Sequence, residues 1–103
     1  MKLYKLSQDL NNNYDTYDSC VVCAENEDEA RMIHPSEFVT HYDDENWYGT
    51  YSGGDQKGKE YVTEDSFPTW VLRSQVNLIK VEYLGEADKK LKKGVVCASF
   101  NAG

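Results

Sequence analysis

No run of about eighteen apolar residues occurs in this 103-residue chain, and its first residues, MKLYKLSQD, hold no stretch of signal-peptide length. Neither membrane insertion nor export is expected, and the cytoplasm is the expected compartment. An even set of cysteines is missing too. Cys20, Cys23 and Cys97 make an odd number in a chain without an export signal, so they read as reduced thiols rather than a disulfide framework. Basic residues are in deficit: 11 Lys and Arg stand against 18 Asp and Glu, for a net charge of −7. Residues 21–45 hold one Arg against eight acids, whereas residues 71–103 hold six bases against three acids. Duplex binding needs Lys and Arg to displace counterions, so direct nucleic-acid binding is not expected. The chain also lacks a Ser-His-Asp set, a nucleophile elbow, a dinucleotide fingerprint, an internal repeat and a low-complexity linker. No catalytic residue, metal ligand or cofactor is assigned.

What remains is 40% apolar and 13% aromatic, too hydrophobic for a disordered acidic tail. A chain of this length forms one core that buries roughly 65% of the unfolded surface, so residues 1–103 read as a single domain. Lys2 to Ser7 reads as a first strand, and Asp9 to Asp18 as a long turn rich in Asn, Asp and Tyr. Ser19 to Ala24 (SCVVCA) reads as a buried central strand paired with the first. Asn26, with Glu29 three residues later, forms a capping box for a helix of about two turns. Pro35 stops it, and helix can restart at Ser36 to Val39. Val76 to Leu84 and Gly94 to Phe100 read as two further strands, the latter another small apolar run like SCVVCA.

Residues 42–70 are polar yet carry seven of the thirteen aromatics, and read as an insertion with its own hairpin, WYGTY turning through Ser52 to Lys59 into EYVT. The expected fold class is α+β: a small, mainly antiparallel sheet of about four strands, one short helix and an aromatic-rich central hairpin insertion.

Four motifs invite chemistry, and each has a plainer reading. Cys20 and Cys23 have C-x-x-C spacing, but residues three apart on a strand point to opposite faces, so they read as core hydrophobes. Cys97 is read the same way. Gly53 to Lys59 fits G-x-x-x-x-G-K, but Glu60 stands where a phosphate loop needs Ser or Thr. Asp9, Asn11, Asn13 and Asp15 alternate like the first ligands of a calcium loop, yet Tyr14 takes the glycine position and Cys20 that of the final glutamate. His34 and His41, with Asp43, Asp44 and Glu45 beyond, could serve a ligand site or acid–base chemistry. The plainer alternative places His34 at a helix C-terminus and the acids in a solvated turn.

YDTYDSCVVCAENEDEAR with its continuation MIHP, then WYGTYSGG, IKVEYLGEA and the terminal KGVVCASFNAG together resemble a family of small phage and prophage proteins, over nearly the whole chain. The resemblance implies no activity, cofactor or site residue. It implies a context, in which small accessory proteins act in the host cytoplasm by binding host machinery.

The first expectation is therefore an accessory protein that acts by protein–protein binding, as an inhibitor of a host defence or nucleic-acid-processing complex such as a CRISPR effector. Its contact residues are expected among Glu25, Glu27, Asp28, Asp43, Asp44 and Glu45, whose charge steers association, and Trp47, Tyr48 and Tyr51, residue types that anchor interfaces. A host protein complex is the expected partner. The alternatives are a small ligand-binding protein or enzyme using His34, His41 and nearby carboxylates, and a self-assembling homo-oligomer whose aromatic insertion packs on its own copy.

Overall fold

The computed structural model describes residues 1–12, 15–36, 39–50, 60–62 and 69–101. Its centre is a four-stranded sheet in which β1 (Lys2–Ser7), β2 (Thr16–Ala24), β6 (Lys80–Glu86) and β7 (Gly94–Asn101) lie in the order β6-β1-β2-β7. Every neighbouring pair is antiparallel. A smaller antiparallel sheet follows α1 (Glu27–Arg31) and orders β3 (Val39–Tyr42), β4 (Trp47–Thr50) and β5 (Glu60–Val62) as β3-β4-β5. The protein is thus α+β and mostly antiparallel sheet. Among the described residues no helix is long and apolar enough to cross a membrane.

Alternation along β1 decides which face of the main sheet is covered: Tyr4 and Leu6 are buried while Lys5 is exposed. Register carries the same division across the sheet. Leu6 faces Cys20 and Val81, and Tyr4 faces Val22 and Tyr83. Onto this face pack Ala30 from α1, Trp47 from β4, and Trp70, Val71, Val76 and Ile79 from the segment leading into β6. On the other face Lys5 lies opposite Val21 and Glu82, and Val21 opposite Cys97, with no element of the described residues packed over them as the core cluster is over Leu6.

The cover is held by polar ties as well as by apolar area. Trp47 Nε1 donates to the carbonyl of Val71 (3.0 Å), and Tyr17 N donates to the carbonyl of Thr69 (2.7 Å). Arg31 Nη1 donates to the carbonyls of Val76 (3.0 Å) and Ile79 (2.7 Å) at the end of the short 3-10 helix Arg73–Leu78, where the Val76 carbonyl also accepts from Ile79 N (3.2 Å). Gln8 organises the turn between β1 and β2. Its Oε1 accepts from Leu10 and Asn11, and its Nε2 donates to the carbonyls of Asn11 and Tyr17.

Several local expectations change in detail. The α1 helix has five residues rather than two turns, although Asn26 does accept from the Glu29 amide (2.8 Å) and the Glu29 carboxylate accepts from Glu25 N (3.0 Å). Val39 opens a strand, so a restarted helix does not reach it. Residues 76–78, expected as strand, belong to the 3-10 helix, and β6 begins at Lys80. The turn expected for the central hairpin, residues 51–59, lies outside the described residues, and so do the Gly53-to-Lys59 motif and Tyr51.

Candidate functional site

The cover over the main sheet stops short of β7. Ala98 lies opposite Cys20 and Val95 opposite Val22, so both belong in register to the covered rows, yet both are exposed and Val95 is 40% accessible. The gap is an open groove of about 680 Å³. One side is Gly94, Val95 and Ala98, and the other is the Met32–Ser36 segment with Val39 to Tyr42 of β3. That volume is ordinary for a binding cleft.

His34 sits in the wall of this groove. It is not at a helix C-terminus, because α1 ends at Arg31. The ring lies edge-on to Trp47 (centroids 5.1 Å apart, 82° between planes) and near Trp70 (6.5 Å). Its Nδ1 accepts from Ser36 N at 3.0 Å, so in the neutral ring the proton is on Nε2. Burial pushes its pKa down to about 3. At neutral pH His34 is therefore an uncharged donor rather than an acid–base group.

His41 also lines the groove but is exposed. It stacks on Tyr48 (5.3 Å, 15°), and its Nδ1 is 2.9 Å from Thr40 Oγ1. Both histidines thus border one cleft, but no carboxylate is among its described lining residues. Asp43 is committed elsewhere. Its carboxylate accepts from Glu45 N (2.8 Å), Asn46 N (2.7 Å) and Tyr48 Oη (2.8 Å), which closes the β3–β4 turn and holds its pKa below the ordinary carboxylate value. Among the described residues no three His, Cys, Asp or Glu side chains gather as a metal site.

The expected contact residues divide. Glu25, Glu27, Asp28, Asp43, Asp44 and Glu45 are all exposed, the first three beside α1 and the others at the tip of the β3–β4 hairpin. Tyr48 is half-buried against His41. Trp47 is a correction: it is 1% exposed, in the core, because its indole N–H needs the Val71 carbonyl and its ring area fills the space under β4. Its neighbour Tyr42 is the exposed aromatic of this hairpin. It meets Trp47 edge-on at 5.8 Å, with the Arg73 guanidinium 5.3 Å from its ring centroid.

Cys97 is a second correction. Cys20 and Cys23 are buried as expected, and burial, with the Cys97 thiol nearby, pushes the Cys20 pKa up to about 12. Cys97 instead is exposed, because β7 is an edge strand that contributes no residue to the described core cluster. Sequence reasoning took the GVVCASF run for core and so missed Val95 and Ala98 as groove residues. No local signal in GVVCASF could have separated them, since only the strand order puts β7 at the edge of the sheet.

Comparison of the chain with protein-family models, with curated proteins and with solved structures returned no match.

Proposed function

We propose that this is a protein-binding protein whose contact surface is the groove between β3 and β7, and that its partner is a host protein complex. A defence or nucleic-acid-processing assembly is the partner class to which the resemblance to phage proteins points. The observation that carries the reading is the exposed β7 wall: apolar positions that belong in register to the covered face stand open beside exposed Tyr42. Apolar and aromatic groups at the centre of a concave surface, with charge at the rim, are the usual anatomy of an interface. The rim here is the hairpin tip with Asp44 and Glu45, both exposed. They steer a basic partner surface toward the groove, while Asp43 holds the tip in shape. Of the expected aromatic-rich insertion, Tyr42 and Trp47 line the groove in this reading.

The test is capture from host lysate, with and without nuclease, comparing the wild-type protein with a Thr40→Arg/Tyr42→Ala variant. The expected result is a stoichiometric protein partner that survives nuclease and is lost with the variant. Asp44→Lys/Glu45→Lys is expected to slow association more than it speeds dissociation. A partner retained equally by the groove variant would overturn this placement of the site.

A second reading has its own observation, since His34 and His41 border the same cleft. A small ligand would receive a hydrogen bond from His34 Nε2 and stack beside His41. A rise in melting temperature with a small-molecule library, abolished by His34→Leu, would move the assignment to that class.

A further inference from the structure

We propose that β7 pairs antiparallel with β7 of a second copy, joining two four-stranded sheets into one and making a single trough from the two grooves. The proposal goes beyond partner binding and does not depend on it; only the use of the trough rests on that reading. It begins with the open edge. β7 ends the sheet order, and every residue from Val95 to Asn101 is exposed. Val96 is 46% and Phe100 47% accessible. From Gly94 to the end of the chain there is no charged residue and no proline, in a protein of which 28% is charged. Strand edges that stay monomeric are commonly blunted by a mid-strand lysine, by proline, by bulges or by a covering segment, and of these β7 shows, among the described residues, a single bulge at Val96.

A second copy is the occupant favoured by charge. At the start of β7 the preceding turn carries exposed Lys89, Lys90, Lys92 and Lys93. At its other end, where Thr16 pairs with Asn101, lie exposed Asp9, Asp15 and Asp18. An antiparallel two-fold pairing brings the basic end of each copy to the acidic end of the other. A molecule of net charge −7 otherwise repels its own copy, so this arrangement favours one geometry of self-association among many. A parallel pairing would set like ends together.

The symmetry also has a consequence for the groove. A two-fold axis through the middle of an antiparallel edge pair stands normal to the sheet, so the covered faces of both copies lie on one side. Val95 and Ala98 are at once the edge strand and one wall of the groove. The second β7 therefore continues the floor of the first groove, and the wall that one chain leaves open is supplied by its copy.

Sedimentation velocity over a micromolar concentration series is the test, joined with coupling by a short bis-maleimide through the one exposed thiol of the three, Cys97. The wild-type protein is expected to double its 11.8 kDa mass with rising concentration and to yield a covalent dimer. Cys97→Lys, which sets ammonium groups close together near the axis, is expected to weaken association at least about ten-fold while circular dichroism stays unchanged. Cys97→Ser is expected to keep the dimer and lose only the coupling. Leu84→Lys, on the opposite edge, is expected to change neither. A monomer at every concentration with no coupled product would overturn the proposal, and so would a dimer that survives Cys97→Lys but dissolves with Leu84→Lys. Thr40→Arg/Tyr42→Ala is expected to dimerise normally, so loss of partner capture and loss of the dimer are separate results.

Discussion

The two edges of the main sheet differ in how they are finished. β6 carries Lys80, Glu82 and Glu86 along its length, is preceded by a 3-10 helix clamped by Arg31, and contains Gly85 at φ +145° beside a register shift. The β2–β7 pairing shifts register twice, at Asp18 of β2 and at Val96 of β7, but β7 has no charged residue, and nothing among the described core residues covers it. Both strands present apolar residues to solvent, Tyr83 and Leu84 on β6 and Val95, Val96 and Phe100 on β7. Exposure alone therefore does not distinguish an interaction edge from an inert one. Charge on the strand does, because a desolvated Lys or Glu penalises any chain that pairs beside it.

Thiol chemistry gives the widest separation between covered and uncovered sheet. Cys97 should react with a water-soluble disulfide reagent at once, and Cys20 and Cys23 only through unfolding. A rate gap on the order of a thousand-fold or more is expected for a stably folded domain. Comparable rates would mean that the β2 core opens as readily as the β7 edge. Removing a support of the cover comes next: Trp47→Ala should cost about 3–5 kcal/mol in urea denaturation, whereas Val95→Ala on the uncovered edge should cost under about 1 kcal/mol. Equal costs would show that β7 is packed after all.

Acid should act through the covered side. His34 has a folded pKa near 3, set by burial, against an unfolded value near 6.5. The unfolded chain binds this proton first, so its contribution is complete above about pH 6.5 and is lost as pH falls toward 3. The slope for one group is about 1.4 kcal/mol per pH unit, and His34→Leu should remove that part of the pH dependence of unfolding. An unchanged slope would mean that His34 is protonated in the folded protein. The smallest effect concerns α1, which adjoins the covered face: Asn26→Ala should destabilise by about 1 kcal/mol through loss of the bond to the Glu29 amide, and Asn26→Gly by less.

Much of the strand pattern was legible because it is short-range. Lys2 to Ser7 alternates as a half-buried strand must, and Asn26 with Glu29 marks the start of α1. The shift from strand to 3-10 helix at residues 76–78 was not legible, since it depends on Arg31, some forty-five residues away, accepting the role of cap for Val76 and Ile79. The candidate site was harder still. His34 and Ser36 are near in sequence, but Val95 and Ala98 meet them only through strand order, and the short strand β3 that faces them had no alternation strong enough to announce it.

SCVVCA and GVVCASF show where sequence stops. Both are small, apolar and uncharged, and composition determined that both form strands of an antiparallel sheet. It could not determine that the first lies between two strands and under Trp47 and Val76 while the second lies at an edge with none of the described core residues over it. Propensity is set within a few residues, but burial is set by what the rest of the chain lays on top, and only the tertiary structure decided that Cys20 would be inert and Cys97 open to solvent.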